Sequence, residues 1–134
     1  MILFIDTTSL ETKIGLLNET GNFIDQIEWT SRFNQSEELI SKIEDLLQKN
    51  RIKKDDLGKI VVITGPGSYT GVRIGVTTAN FIGLGLNIPV LGLKKSSIVD
   101  IGKIISGDNS DCFLDPVMPY YERLPNITKP KKKL

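Results

Sequence analysis

Two places in the sequence gather residue types that can do chemistry. The first is Asp6, which ends an apolar run and is followed by Thr7, Thr8 and Ser9. A carboxylate so placed can hold magnesium or an attacking water in actin-like and ribonuclease-H-like folds, given further carboxylates and, for ATP, a glycine-bearing turn after the first strand. Asp6-Thr7-Thr8-Ser9 contains no glycine, and the plainer reading is that Asp6 and a threonine hydroxyl close the turn. The second place is Gly65-Pro66-Gly67-Ser68-Tyr69-Thr70-Gly71, which leaves a β-branched run and opens a helical one. Backbone N–H groups face outward at such a point and the helix dipole favours an anion, so the loop has the placement of a phosphate site. It is not a Walker A loop, because no Gly-Lys-Ser/Thr follows, and its glycines miss the dinucleotide spacing. Spacing alone favours a structural role, in which Gly65 and Gly67 permit a sharp turn and Gly71 lets the helix pack closely.

Composition narrows the chemistry further. The 134 residues include no histidine and one cysteine, Cys112, which excludes Ser/His/Asp and Cys/His catalysis and leaves no zinc ligand set or intrachain disulfide. No metal and no cofactor are expected. With 40% apolar residues, 25% charged and a formal net charge of +1, the chain is expected to fold as one domain. The N-terminus, Met1-Ile2-Leu3-Phe4-Ile5-Asp6, reads as a strand and not as a signal peptide, so a cytoplasmic protein is expected. Charge is unevenly spread. Residues 120–134 hold five Lys/Arg against one acid, net +4, whereas residues 1–119 hold twelve against fifteen, net −3. Lys129, Lys131, Lys132 and Lys133 are therefore read as a solvated tail in preference to a dedicated nucleic-acid contact.

The elements that must position these residues follow from periodicity. Residues 2–5 form a first strand, Thr12 to Leu17 a second, and Asn18-Glu19-Thr20-Gly21-Asn22 turns the chain into a third that carries Phe23, Ile24, Ile27 and Trp29. Ser36 is the expected N-cap of an amphipathic helix over 36–49, with Leu39, Ile40, Ile43, Leu46 and Leu47 at helical spacing. Ile60-Val61-Val62-Ile63 reads as a strand buried on both faces, residues 70–86 as a helix stopped by Asn87 and Pro89, and Val90-Leu91-Gly92-Leu93 as the next strand. Ser96 and Ser97 are expected to cap a third helix bearing Ile98, Ile101, Ile104 and Ile105, with one more strand around Cys112 to Leu114. The expected fold is α/β: a mixed five-stranded sheet with an antiparallel meander on one side of the first strand and parallel crossovers on the other.

The helix over 70–86 is unusual. No charged residue lies between Arg73 and Lys94, and Gly71, Gly75, Ala79 and Gly83 stand four apart on one face. Small residues at that spacing admit a close neighbour, and an uncharged helix needs cover on nearly every side. A membrane span is set aside, because Pro89 breaks the run and Thr77, Thr78, Asn80 and Asn87 interrupt it. The expected cover is the helix over 36–49 together with a partner protein. On this view Gly75→Leu or Ala79→Trp would block docking and leave the monomer folded.

These residues resemble the TsaB (YeaZ-like) family of tRNA threonylcarbamoyladenosine biosynthesis subunits. The resemblance rests on Ile5-Asp6-Thr7, on Gly65 to Gly75 with its Val72-Arg73-Ile74, on Ile88-Pro89-Val90-Leu91-Gly92 and on the ending Pro119-Tyr120-Tyr121-Glu122-Arg123. It implies an actin-like (ASKHA, ribonuclease-H-like) N-terminal lobe over 1–105 and a shortened linker and tail over 106–134. It also implies a non-catalytic scaffold that docks a TsaD-like catalytic subunit and helps recruit a TsaE-like ATPase. The complex would transfer a threonylcarbamoyl group from its adenylate to adenosine 37 of tRNA, so this chain would meet tRNA only indirectly, and the metal would belong to the catalytic subunit. The implied docking residues are Leu39, Ile40, Ile43, Leu47, Gly71, Arg73, Gly75, Ala79 and Gly83, and the same surface would form homodimers when the partner is absent. Arg73 can orient a partner carboxylate or point to solvent. Asp6 with Gly65, Pro66, Gly67, Ser68, Tyr69 and Thr70 would be a vestigial nucleotide site. Full family members carry a second lobe between the third helix and the terminal strand, whereas here a short stretch joins Ile105 to Pro116, so that lobe is expected to be largely absent. The rival reading is a nucleotide-binding actin-like ATPase or phosphotransferase that uses Asp6 and the Gly65–Gly71 loop. A third is a tRNA-binding module working through the lysine tail.

Overall fold

A computed structural model describes residues 1–31, 34–96 and 101–106, with the side chains of 104–106 excepted. Its framework is a five-stranded sheet built from β1 (Ile2–Asp6), β2 (Glu11–Leu17), β3 (Phe23–Thr30), β4 (Lys59–Gly65) and β5 (Val90–Lys94). The spatial order is β3-β2-β1-β4-β5. β1 pairs antiparallel with β2, Ile2 facing Leu17, and parallel with β4, Ile2 facing Lys59. The meander thus lies on one side of β1 and the crossover strands on the other, as the sequence predicts.

Strand alternation divides the apolar side chains between two faces. Leu3, Ile5, Ile14, Leu16, Ile60, Val62 and Val90 share one face, and α1 (Gln35–Lys49) and α2 (Tyr69–Leu86) cover it with Leu39, Ile43, Leu46, Leu47, Val72, Val76 and Ala79. Ile2, Phe4, Leu17, Val61, Ile63, Leu91 and Leu93 share the other face with Ile101 of α3 (Ile101–Ser106). On that second face the Phe23 ring meets Phe4 edge-on, centroids 5.4 Å apart, and lies where a side chain at Gly15 would stand.

The helix termini differ from expectation in one respect. α1 starts at Gln35, and its N-cap is Asn34 in the left-handed region (φ 55, ψ 40) without a side-chain cap bond. Ser36 therefore lies within the first turn and does not cap it. Asparagine tolerates this backbone conformation, and its carbonyl accepts the Glu38 N–H at 2.9 Å, which closes the first turn without a hydroxyl. α2 has the hydroxyl cap that α1 lacks. Ser68 is extended (φ −62, ψ 140) and its Oγ accepts the Gly71 N–H at 3.0 Å, while Asn87 in the left-handed region ends the helix. The expected Ser97 cap, Ile98 and the strand around Cys112 lie outside the described residues, as does the tail from residue 107.

Candidate functional site

The Asp6 turn and the glycine loop meet at the C-terminal ends of β1 and β4, two adjacent parallel strands. Asp6 Oδ1 accepts the Thr8 N–H at 3.0 Å and the Thr8 hydroxyl at 2.6 Å, so the carboxylate closes its own turn. From the loop side, the Ser68 N–H donates to the Thr8 carbonyl at 3.0 Å. Gly67 packs so tightly on Thr8 that a Cβ would overlap the Thr8 carbonyl and Cβ. Two donors at the start of α2 are thereby engaged within the chain: Ser68 N–H by Thr8, and Gly71 N–H by Ser68 Oγ. The site residues Asp6, Gly65, Pro66, Gly67 and Ser68 are brought together, and what they form is a joint between two strand ends. Tyr69 and Thr70 open α2 beside it and are exposed.

The small-residue strip has a use inside the chain. The Thr7 hydroxyl donates to the Gly71 carbonyl, and side chains added at Gly71 and Gly75 would overlap the Thr7 carbonyl and hydroxyl respectively. A side chain at Gly83 would overlap Val90. The strip thus lets α2 sink onto the turn that follows β1 and onto β5, and Gly71, Gly75, Ala79 and Gly83 are all buried. This corrects the expectation that the strip meets a partner helix: closeness is needed, but the close neighbour is the chain's own sheet. Leu39, Ile43 and Leu47 are likewise core, with relative exposures of 0%, 5% and 6%. Of the nine residues nominated for docking, Ile40 and Arg73 face outward.

The outer surface of α2 is formed by residues on the opposite side of the helix. Tyr69, Arg73, Thr77 and Phe81 are exposed at four-residue intervals, and Leu84 follows. Phe81 and Leu84 are 75% and 78% exposed, values that no core role explains, and Ile40 of α1 is 43% exposed beside them. Ile40, Ile43, Leu47, Phe81, Ile82 and Leu86 line an apolar groove of about 310 Å³ between the helices. A second hollow of about 340 Å³ lies at the other end of the pair, lined by Ser36, Tyr69, Thr70, Arg73, Thr77 and Thr78 over Ile74. Sequence reasoning missed Phe81 and Leu84. Their signal was available: at about 100° per residue Phe81 stands roughly 200° around the helix from Ala79 and Gly83, and Leu84 roughly 180° from Gly75, so they point away from whatever the strip packs against.

Among the described residues no helix is long and apolar enough to cross a membrane, and no group of three His, Cys, Asp or Glu gathers as metal ligands.

Comparison with known proteins adds to this geometry. A family profile described as TsaD: tRNA N6-adenosine threonylcarbamoyltransferase matches residues 29–100. The tRNA threonylcarbamoyladenosine biosynthesis protein TsaB of Bacillus subtilis is 42% identical over 94 residues, 70% of this chain and 41% of that protein. The protein of the same name from Escherichia coli is 30% identical over 93 residues, 69% of this chain and 39% of its own length. The chain therefore spans about two fifths of the length of these curated relatives. Among solved structures, YeaZ from Pseudomonas aeruginosa superposes with a TM-score of 0.63 at 26% identity, over 69% of this chain and 43% of that one. The sheet and its helices are those of the actin-like lobe that the sequence analysis expected.

Proposed function

The chain belongs to the TsaD-type threonylcarbamoyltransferase family, on its TsaB (YeaZ-like) branch, and from that premise we propose that it is a non-catalytic scaffold subunit in tRNA N6-threonylcarbamoyladenosine biosynthesis. Its task is to dock a TsaD-like catalytic subunit on the outer face of α1 and α2 and to help recruit a TsaE-like ATPase. Residues 1–105 are the docking lobe, and 106–134 a linker and tail. The observation that carries the reading is the pair Ile40 and Phe81, which line the α1–α2 groove and are 43% and 75% exposed in the isolated chain, with Leu84, 78% exposed, one turn beyond Phe81 on α2. Exposed large apolar residues grouped around a groove mark an interaction surface in place of a solvated one. The non-catalytic part of the reading is supported by Asp6, whose carboxylate closes its own turn, and by a glycine loop whose Ser68 and Gly71 N–H groups are engaged by Thr8 and Ser68.

The test is co-expression with the TsaD-like protein of the same cell, followed by size-exclusion chromatography with light scattering. A stoichiometric complex is expected, with no appreciable ATP turnover by the chain alone. Turnover that Asp6→Ala abolishes would replace the scaffold with the nucleotide-hydrolysing alternative.

A further inference from the structure

The outer face of α1 and α2 is not uniform, and its polarity changes along the helix axis. At one end lies the apolar groove that Ile40 and Phe81 line. At the other, Ser36, Tyr69, Thr70, Thr77 and Thr78 line a hollow together with Arg73, and no acidic residue lines it among the described residues. Arg73 and Phe81 are eight residues apart, about 12 Å along the helix at ~1.5 Å per residue.

The Arg73 side chain is held in place and not free to wander. Its Nη1 donates to the Tyr69 hydroxyl at 3.1 Å, and the guanidinium stands 5.3 Å from the centroid of the same ring. These two contacts engage one face and one N–H of the guanidinium and leave its other N–H groups for a planar anion.

We propose that this hollow receives an acidic side chain of the protein that docks on α1 and α2, so that Arg73 sets the register of that partner while the apolar groove supplies most of the affinity. The inference rests on the docking reading above. It specifies the occupant: a partner helix with apolar side chains for the groove and an aspartate or glutamate about two turns away. One guanidinium matches the single charge of a carboxylate. A free phosphate or nucleotide fits less well, because no second cation lines the hollow and residues 1–119 carry net −3. Arg73, Thr77 and Phe81 lie on one exposed stripe of α2, so a single partner helix can reach both Phe81 and Arg73.

The experiment is calorimetric titration of the full chain against the TsaD-like subunit at low and high salt. Arg73→Gln is expected to weaken binding about tenfold and Arg73→Glu about a hundredfold, with a flatter salt dependence in the Gln variant. Arg73→Lys should fall between wild type and Gln, because lysine keeps the charge without the fork. Thermal melts of these variants should match wild type, since Arg73 is exposed. Reversing one acidic residue of the partner to arginine should restore affinity to Arg73→Glu and not to Phe81→Asp. Wild-type affinity in Arg73→Glu alongside lost binding in Phe81→Asp would overturn this inference and leave the docking reading intact. Absence of binding by the wild-type chain would overturn both. Arg73-dependent binding of inorganic phosphate to the isolated chain, with partner affinity indifferent to Arg73→Glu, would assign the hollow to a free anion and also overturn the proposal.

Discussion

The inner and outer sides of α2 carry opposite kinds of residue. Toward the sheet stand Gly71, Gly75, Ala79 and Gly83, where the Thr7 backbone and hydroxyl and the Val90 side chain leave no room for more. Toward solvent stand Tyr69, Arg73, Thr77, Phe81 and Leu84. An amphipathic helix ordinarily hides its large apolar residues and shows small or polar ones. Here the small residues are hidden because the helix axis must come close to the sheet, and the large ones are shown in groups. The contrast separates two roles that the sequence alone merges: the strip serves folding, and the opposite stripe is the surface proposed for docking.

The contrast breaks most visibly at Gly75. Substituting Gly75→Leu forces a branched side chain into the Thr7 hydroxyl and pushes α2 off β1. The expected loss is about 3 kcal/mol of stability or more, read as a lowered thermal or urea midpoint of the isolated chain. This reverses the expectation that the variant stays folded and only fails to dock. An unchanged melting temperature would mean that the strip is not the packing face.

Phe81→Asp tests the other side. The ring is 75% exposed, so the isolated chain should melt within about 0.5 kcal/mol of wild type. Affinity for the TsaD-like subunit should drop by about 2 kcal/mol or more, measured by the same titration. A stability loss without an affinity loss would exchange the roles assigned to the two faces.

Much of the fold was legible because its signals are local. Ile60-Val61-Val62-Ile63 had to be a doubly buried strand, and Leu39, Ile43, Leu46 and Leu47 had to line one side of a helix. The destination of the glycine strip was not local. Close approach to a helix and close approach to a sheet ask for the same small residues, and what decides between them is Thr7, more than sixty residues away in sequence, whose hydroxyl donates to the Gly71 carbonyl over a separation of 64. The N-cap of α1 was misplaced for a related reason: Asn34 caps through backbone conformation and not through its side chain, so the serine nearby gave the stronger sequence signal. Of the nine residues expected to dock, Arg73 and Ile40 face outward, while the outward direction of Phe81 depends on knowing which way the strip faces.

A smaller effect sharpens the description of the joint under α2. Ser68→Ala removes the hydroxyl that accepts Gly71 N–H and leaves that donor without its cap. The expected cost is about 1 kcal/mol in the melt of the isolated chain, with affinity for the partner unchanged, because Ser68 lines neither hollow of the outer face. Asparagine and aspartate also cap well, so Ser68→Asp should recover most of the loss. Equal losses for alanine and aspartate would show that the Ser68 N–H to Thr8 contact, and not the cap, carries the effect.

The smallest effect belongs to Asp25, far from both sides of α2, and it serves as their common reference. Its carboxylate accepts the Asn50 amide at 2.9 Å and pairs with Lys49 Nζ at 3.2 Å, tying β3 to the end of α1. The hydrogen bond from Asn50 first, and then Lys49, lower its pKa below the ordinary 3.8. A folded-state pKa that is depressed stabilises the native state above the unfolded value, and the contribution disappears as pH falls from about 3.8 through the lowered value. Asp25→Asn should therefore melt slightly earlier than wild type at neutral pH and converge with it in strong acid, with partner affinity indifferent at neutral pH. Lys49 is exposed and Asp25 half-buried, so solvent screens the pair and the gap should shrink with added salt. A gap that persisted in acid would locate the effect in packing and not in charge, and an affinity change would extend the recognition surface beyond the α1–α2 face to the end of α1.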